Sequence, residues 1–91
     1  MISNIDILRK KLLFRSSHRG TKEMDILLGT FFKDNYDLLE EKELLEFKVL
    51  LMITDKALSD WLIMGKNDPE IDNIEISKKL KEHVIMRKLK N

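Results

Sequence analysis

The segment that decides the fold class is residues 21–35, TKEMDILLGTFFKDN. Its apolar side chains recur at intervals of three and four residues, which places them along one side of an α-helix. Gly29 lies inside this predicted helix, where glycine costs roughly 0.5–1 kcal/mol relative to alanine. We therefore expect another element to pack closely at that point. The apolar positions of this second helix are Met24, Leu27, Leu28, Phe31 and Phe32.

The same helical spacing continues on both sides of this segment. It predicts a first helix that ends near residues 16–17, a third helix that begins after a turn at residues 36–40, and a short fourth helix. The apolar positions of these three helices are, in order, Ile5, Leu8, Leu12 and Leu13; Leu44, Phe47, Leu50, Leu51 and Thr54; and Ala57, Leu58, Trp61 and Leu62.

Start and stop signals divide the second half of the chain. Asp55 is a suitable N-cap for the fourth helix, and Gly65 suits the left-handed position that follows a helix. Asp68 and Pro69 predict the N-cap and first residue of a last helix. Since no segment alternates like a strand, we predict an all-α fold, a compact bundle of about five short helices in a single domain, residues 1–91. The partly buried positions of the last helix are Ile71, Ile74, Leu80 and Val84.

The composition excludes several function classes. The 91 residues include 43% hydrophobic and 36% charged residues, with a net charge of +1, which is typical of a globular protein. There is no cysteine, so disulfides, thiol catalysis and cysteine-based metal sites are excluded. No apolar run approaches the roughly 20 residues that a membrane span needs. We therefore expect no membrane insertion. The basic first segment also resembles a mitochondrial transit peptide, but we prefer to interpret it as a first helix with a solvated basic face.

The charges are segregated along the chain. Residues 9–22 hold six basic residues and no acid, residues 34–75 hold twelve acids and four lysines, and residues 78–90 are basic again. Two regions of opposite charge on one molecule can orient a protein partner during encounter. A solvated helical surface is the simpler interpretation of the same pattern.

Sequence templates for catalysis are largely absent. Neither a GxGxxG nor a GxxxxGK[ST] phosphate loop occurs. His18 and His83 lie far apart and fit no metal-ligand spacing, and the adjacent Ser16, Ser17 and His18 do not by themselves form a nucleophile and base. These observations do not favour an enzyme.

The informative segment is residues 18–25, HRGTKEMD, where the second helix should begin. Gly20 is an acceptable N-cap, and Glu23 would then be the third helical residue, able to reach back as half of a capping box. Arg19 would lie outside the helix, free to point away and offer its planar fork, while Gly20 would let a partner approach the backbone. The cluster is therefore either a contact surface or a helix start with a local ion pair.

Residues 19–25 match the RGxxExD signature of the SdhE family, the bacterial relatives of succinate dehydrogenase assembly factor 2. The resemblance runs from about Arg15 to Leu80, and its spaced positions make it far more specific than RGxxE alone. Thr21 replaces a usual bulky apolar residue, and Met24 replaces leucine. The further matching positions are Phe31, Phe32, Tyr36, Asp37, Leu38, Glu43, Phe47, Leu50, Leu51, Asp55, Leu58, Trp61, Leu62, Gly65 and Lys66.

The resemblance implies an assembly factor, or flavinator. Family members look like small five-helix proteins that bind the flavoprotein subunit of succinate dehydrogenase, and in some bacteria of fumarate reductase. They promote covalent attachment of FAD to a histidine of that subunit. The resemblance further implies that the chain is not an enzyme and binds no cofactor stably, acting instead on the FAD of its client. Carried over position by position, the partner-binding residues are Arg19, Gly20, Glu23 and Asp25.

The same resemblance leads us to expect a monomer without nucleic acid, in the cytoplasm of a bacterium or the mitochondrial matrix of a eukaryote. We expect His18 to be exposed, and Tyr36 with Asp37 to form either a polar pair at a helix end or part of the contact surface. Four further residues are expected in the core, namely Phe31, Phe47, Leu51 and Trp61.

Two other functions remain open from the sequence. A small nucleic-acid-binding domain could use the basic residues 9–22, but the acidic middle would repel phosphate unless it faces away, and no recognition-helix pattern is evident. A regulatory, antitoxin-like helical module is the other alternative. Salt-sensitive DNA binding would support the first, and purification with a toxin the second.

Overall fold

A computed structural model describes the backbone of residues 3–90 and the side chains of residues 3–87. Six helices and no strand form in this part of the chain, which confirms the predicted all-α class. No helix in it is both long and apolar enough to cross a membrane. The helices are α1 (Asn4–Ser17), α2 (Lys22–Asp34), α3 (Glu41–Leu51), α4 (Asp55–Leu62), α5 (Pro69–Asp72) and α6 (Ile76–Lys90).

Helix α2 supplies the centre of the core, as its apolar stripe predicts. The ring of Phe32 stacks on Phe47 of α3 at 4.9 Å between centroids, and Phe31 packs against the same ring at 5.7 Å. Trp61 and Leu51 are also buried, so the four predicted core residues are confirmed. Helix α1 packs against both α2 and α3, and α6 closes the other side of the core.

Gly29 is the point of closest approach between α1 and α2. A Cβ atom there would lie 3.4 Å from Cβ of Ser17 and 3.5 Å from its Cα, so the prediction of close packing is confirmed. The end of α1, and with it the loop that follows, is thereby fixed against α2.

Two predicted helix caps are wrong by one residue. Thr21, not Gly20, caps α2, because its hydroxyl accepts the N–H of Met24 at 3.3 Å. Thr54, not Asp55, caps α4, where its hydroxyl accepts the N–H of Ala57 at 3.2 Å. Thr54 is therefore not part of the apolar face of α3, and Asp55 becomes the first residue of α4.

The predicted last helix is divided in two. The cap by Asp68 with Pro69 as first helical residue is confirmed, but α5 ends at Asp72 and α6 begins four residues later. Ile71 and Leu80 are nine residues apart, which would put them on opposite faces of a single helix. The break lets both be fully buried. Before α5, Gly65 has φ of +71°, the left-handed conformation predicted for it.

Candidate partner-binding site

The loop at residues 18–21, between α1 and α2, is held by the side chain of Arg19. Its Nε donates to Oδ1 of Asp55 at 2.7 Å, Nη1 to the carbonyl of Leu51 at 2.6 Å and Nη2 to the carbonyl of Ile53 at 2.7 Å. The side chain is only 12% exposed. The guanidinium therefore fastens the loop to the junction between α3 and α4.

The prediction that Arg19 points away from the protein is therefore wrong. The carbonyls at the C-terminal end of a helix have no partner within the helix and need donors from elsewhere. Arg19 donates to one such carbonyl, that of Leu51, and to the carbonyl of Ile53 in the turn that follows α3. The carboxylate of Asp55 is a charged partner for its third donor. The guanidinium of Arg19 therefore binds backbone carbonyls of this chain and not those of a partner.

Asp55 is the residue of the site that sequence reasoning missed. One carboxylate oxygen accepts from Arg19, and the other accepts the backbone N–H of Gly20 at 2.7 Å. The sequence predicts Asp55 only as a helix cap, and the signal that singles it out is its match to the family pattern. Its carboxylate connects the start of α4 to the loop before α2.

Gly20 is exposed, as the contact hypothesis requires, but the chain also needs glycine there for an internal reason. A Cβ atom at this position would lie 2.7 Å from Oδ2 of Asp55, closer than real Cβ contacts. Apart from the neighbours Arg19 and Thr21, no other described residue has an atom within 4 Å of that Cβ position. The absence of a side chain therefore both preserves the bond to Asp55 and leaves the outer surface of the backbone open.

Asp25 and Glu23 follow on the first turn of α2 in different roles. The carboxylate of Asp25 accepts the backbone N–H of Arg19, so it holds the same loop from the other side. Glu23 is the second helical residue and not the third, and the predicted capping box around it does not form. It is exposed and makes no hydrogen bond or ion pair with any residue in the described part of the chain.

The four predicted site residues thus divide into two kinds. Arg19 and Asp25 fix the loop from within, whereas Gly20 and Glu23 are exposed on its outer side. Distances place Arg19 and Gly20 together around Asp55, and Asp25 joins them through the backbone of Arg19. Glu23 is bonded to none of them.

Beside the loop lies an open hollow of about 440 Å³. Its wall includes Gly20, Arg15, Phe14 and Met52, of which Phe14 is 63% and Met52 75% exposed. His18 is exposed, as predicted, and its ring stacks on Phe14 at 4.0 Å. Large apolar side chains beside a rigid polar loop are typical of protein-contact surfaces.

The remaining candidates do not join this site. Tyr36 packs edge-on against Phe32 at 5.8 Å between ring centroids and is half-buried, while Asp37 is exposed. The two form no hydrogen bond with each other, so the predicted polar pair is absent from the described structure. Within the described residues, no three His, Asp or Glu side chains are grouped so that they could hold a metal ion. The geometry defines a small helical domain with a loop that is held in place by internal hydrogen bonds.

Comparison with known proteins identifies the domain's family. Residues 10–84 match the family described as "Flavinator of succinate dehydrogenase", which includes the loop and all of its fastening residues. The chain belongs to this family, and the resemblance of residues 19–25 and the positions after them is thereby confirmed.

Curated relatives agree with the family assignment. The chain is 38% identical over 82 residues, 90% of its length, to a succinate dehydrogenase assembly factor 2, mitochondrial, of Dictyostelium discoideum, of which 58% is covered. It is 42% identical over 59 residues, 65% of its length, to an FAD assembly factor SdhE of Acetobacter pasteurianus, of which 54% is covered. The chain thus spans a little over half the length of these two relatives.

A third relative is covered more fully. The chain is 38% identical over 72 residues, 79% of its length, to an FAD assembly factor SdhE of Legionella pneumophila, and the match spans 90% of that protein. No solved structure matches the chain significantly.

Proposed function

We propose that this chain is an assembly factor that binds the flavoprotein subunit of a succinate dehydrogenase and promotes covalent attachment of FAD to a histidine of that subunit. The observation that carries the proposal is the family match over residues 10–84. The match includes the loop at residues 18–21, which hydrogen bonds to Asp55 hold in place. The names of the relatives, FAD assembly factor and succinate dehydrogenase assembly factor, support it.

The chemistry belongs to the client. Attachment replaces a C–H bond of the flavin 8α-methyl group by a bond to the histidine nitrogen. The two electrons reduce the isoalloxazine ring, which an electron acceptor such as O₂ then reoxidises. The step needs the FAD and the client histidine to be held together, and it needs stabilisation of the charge that develops on the isoalloxazine ring. A bound helper can favour the client conformation in which these groups are aligned, which is an effect on proximity and population. In this proposal the chain is not an enzyme, holds no cofactor stably and acts on FAD already in the client.

The fastened loop gives the assembly factor its contact surface. A loop that is ordered before binding loses little conformational entropy on docking. We assign direct client contact to the exposed Gly20 backbone and Glu23 side chain, and positioning roles to Arg19 and Asp25. We further propose that the chain acts as a monomer where the client folds, in the bacterial cytoplasm or the mitochondrial matrix.

The test is to express the client flavoprotein subunit in a host without a homologue of this chain, with and without the chain. Covalent flavin is measured by in-gel fluorescence of the denatured client and normalised to client protein. We expect the chain to raise the covalent fraction. Equal covalent flavin in both samples, with the chain shown by circular dichroism to be folded, would reject the proposed function.

A further inference from the structure

Helices α1 and α3 present two parallel apolar stripes on their outer faces. Ile7 and Phe14 are two turns apart on α1 and exposed, and Val49 of α3 and Met52, the residue after α3, lie about one turn apart and are exposed as well. The two helices pack against each other, and Phe14 and Met52 both line the hollow beside the loop at residues 18–21, so the stripes meet there. Exposed apolar residues that cluster in this way are typical of a contact surface.

A groove of about 670 Å³ runs along the exposed side of α1 and is bordered on α3 by Lys48. It is lined by Ile7 and Phe14 and by the basic residues Lys10, Lys11, Arg15 and Lys48. Phe14 and Arg15 also line the hollow beside the loop at residues 18–21, so the groove and that hollow are continuous. We call the two together the α1–α3 groove.

The charge of the α1–α3 groove is one-sided. Five lysine and arginine side chains line it, and within the described part of the chain only Arg19 among them makes an ion pair, with Asp55. The four without one are Lys10, Lys11, Arg15 and Lys48. The groove's only carboxylate is Asp55, which is already bonded to Arg19 and to the N–H of Gly20. A ligand complementary to the groove must therefore have apolar side chains for its apolar lining and acidic side chains for its basic lining.

We infer that the α1–α3 groove is a second docking surface, continuous with the loop at residues 18–21, for an acidic, amphipathic segment of the client flavoprotein subunit. This inference rests on the proposed function. The groove would take apolar side chains of the client against Phe14 and Met52 and its carboxylates against Lys11 and Arg15. Docking at two adjoining surfaces fixes the orientation of the client, which contact at the loop alone does not.

Two other occupants fit the groove less well. A nucleic acid would be attracted by the basic rim but would leave Ile7, Phe14 and Met52 against a polar backbone. The acidic middle of a second copy would complement the charge of the groove, but such a head-to-tail contact would produce rings or open filaments of the chain, which disagrees with the proposed monomer. The apolar floor and basic rim together favour an acidic protein segment.

The experiment measures binding of the client flavoprotein subunit, purified from a host without a homologue, to the chain by surface plasmon resonance. The double charge reversal Lys11→Glu and Arg15→Glu is compared with a matched control, Lys33→Glu and Lys78→Glu, whose sites are exposed and line neither part of the groove. We expect the groove variant to weaken binding by about tenfold or more and to flatten its salt dependence, with the control near the parent.

A second pair of variants tests the apolar side chains of the groove, here Phe14. Phe14→Ser should weaken client binding by about tenfold, whereas Ile85→Ser, which replaces an exposed residue of α6, should leave it unchanged. All variants are first shown to be helical and to melt cooperatively. Since the altered side chains are exposed, we expect the fold to be retained.

The outcomes separate this inference from the proposed function. If the parent and all four variants bind and flavinylate the client equally, the docking inference is wrong and the proposed function stands. If the parent neither binds nor flavinylates the client, the function itself fails and the inference with it. Self-association in sedimentation, or DNA binding, that the groove variant abolishes while client binding persists would assign the groove to that other occupant and overturn the inference.

Discussion

Arg19 and Asp55 are joined by a 2.7 Å ion pair, Nε to Oδ1, that connects residues 36 positions apart in the chain. The pair fastens the loop before α2 to the start of α4, and the bonds from Arg19 to Leu51 and Ile53 extend the fastening to the end of α3. The shape of the proposed contact surface therefore depends on a contact inside the molecule. In the proposed function, substitutions at Arg19 would therefore affect client binding through the shape of the loop.

We predict that Arg19→Lys and Asp55→Asn each destabilise the protein by about 1–3 kcal/mol, because each leaves partly buried hydrogen-bonding groups without a charged partner. Lysine keeps the charge but cannot serve three acceptors in a planar fork. The measurement is the free energy of unfolding in urea for both single variants and the double variant. We expect the double variant to be more stable than the sum of the single losses predicts, by about 0.5–3 kcal/mol.

Lys42→Ala with Glu75→Ala provides the matched control for this cycle. These residues form a surface ion pair at 3.9 Å with both side chains largely exposed. Such pairs contribute about 0–1 kcal/mol. Coupling between Arg19 and Asp55 that is no larger than coupling in the control would show that the loop is not fastened as described.

Gly20→Ala should lower the melting temperature, because the added Cβ would be forced against Oδ2 of Asp55. Crowding of this kind costs typically about 1–3 kcal/mol. Gly29→Ala is the comparison: its new Cβ meets Ser17 at ordinary contact distance, and alanine favours the helix by roughly 0.5–1 kcal/mol. We expect Gly29→Ala to keep or raise the melting temperature. The account of Gly20 is wrong if both variants melt like the parent.

Trp61→Ala should cost about 3–5 kcal/mol, since it leaves a cavity in the core. Trp61 is 2% exposed, and its Nε1 donates to Asp72 at 2.9 Å. Trp61→Phe loses that hydrogen bond but fills much of the space, so we expect a smaller loss. Guanidinium unfolding measures both. If Trp61→Ala unfolds cooperatively with the same free energy of unfolding as the parent, the assignment of Trp61 to the core is wrong.

The free energy of unfolding should fall as the pH is lowered from 7.5 to 5.5, because His83 titrates in this range in the unfolded chain. Burial lowers the pKa of His83 below its ordinary value of about 6.5, although Asp34 opposes the shift and Arg87 adds to it. As the pH falls through 6.5, the unfolded chain takes up this proton more readily than the folded one, so the folded state loses stability. The stabilising effect of the shift is fully present only above that pH.

Urea unfolding of the parent and of His83→Gln at the two pH values measures this effect. The parent should lose more free energy of unfolding on acidification than His83→Gln, which has no group that titrates at this position. Equal losses in the parent and in His83→Gln would show that burial does not shift the titration of His83.

The helices and most of the core could be predicted from sequence because the periodicity that defines them is local. Met24, Phe31 and Phe47 are buried where their spacing places them. The caps were misplaced by one residue because Gly20 and Thr21, and likewise Thr54 and Asp55, are adjacent residues that all cap helices well. Side-chain hydrogen bonds to specific N–H groups, which only coordinates show, decided between them.

The orientation of Arg19 could not be predicted in this way. Its partners lie 32 to 36 residues further along the chain and meet it only after α1, α3 and α4 have packed. A resemblance to a family identifies such a residue without saying which way it points. Asp55 is a similar case, because it matches the family pattern but the pattern does not say what the residue does.

Glu23 offers the most direct test of the central claim, because it is exposed and bonded to no described residue of its own chain. The measurement is the rate of covalent flavin formation in a mixture of purified client subunit, FAD and chain. We predict that the parent accelerates the reaction and that Glu23→Gln, with an unchanged melting temperature, accelerates it much less. A covalent flavin rate that is the same with Glu23→Gln as with the parent would contradict the assignment of Glu23 to client contact, and a rate that is no higher with the parent than with no chain added would contradict the proposed function.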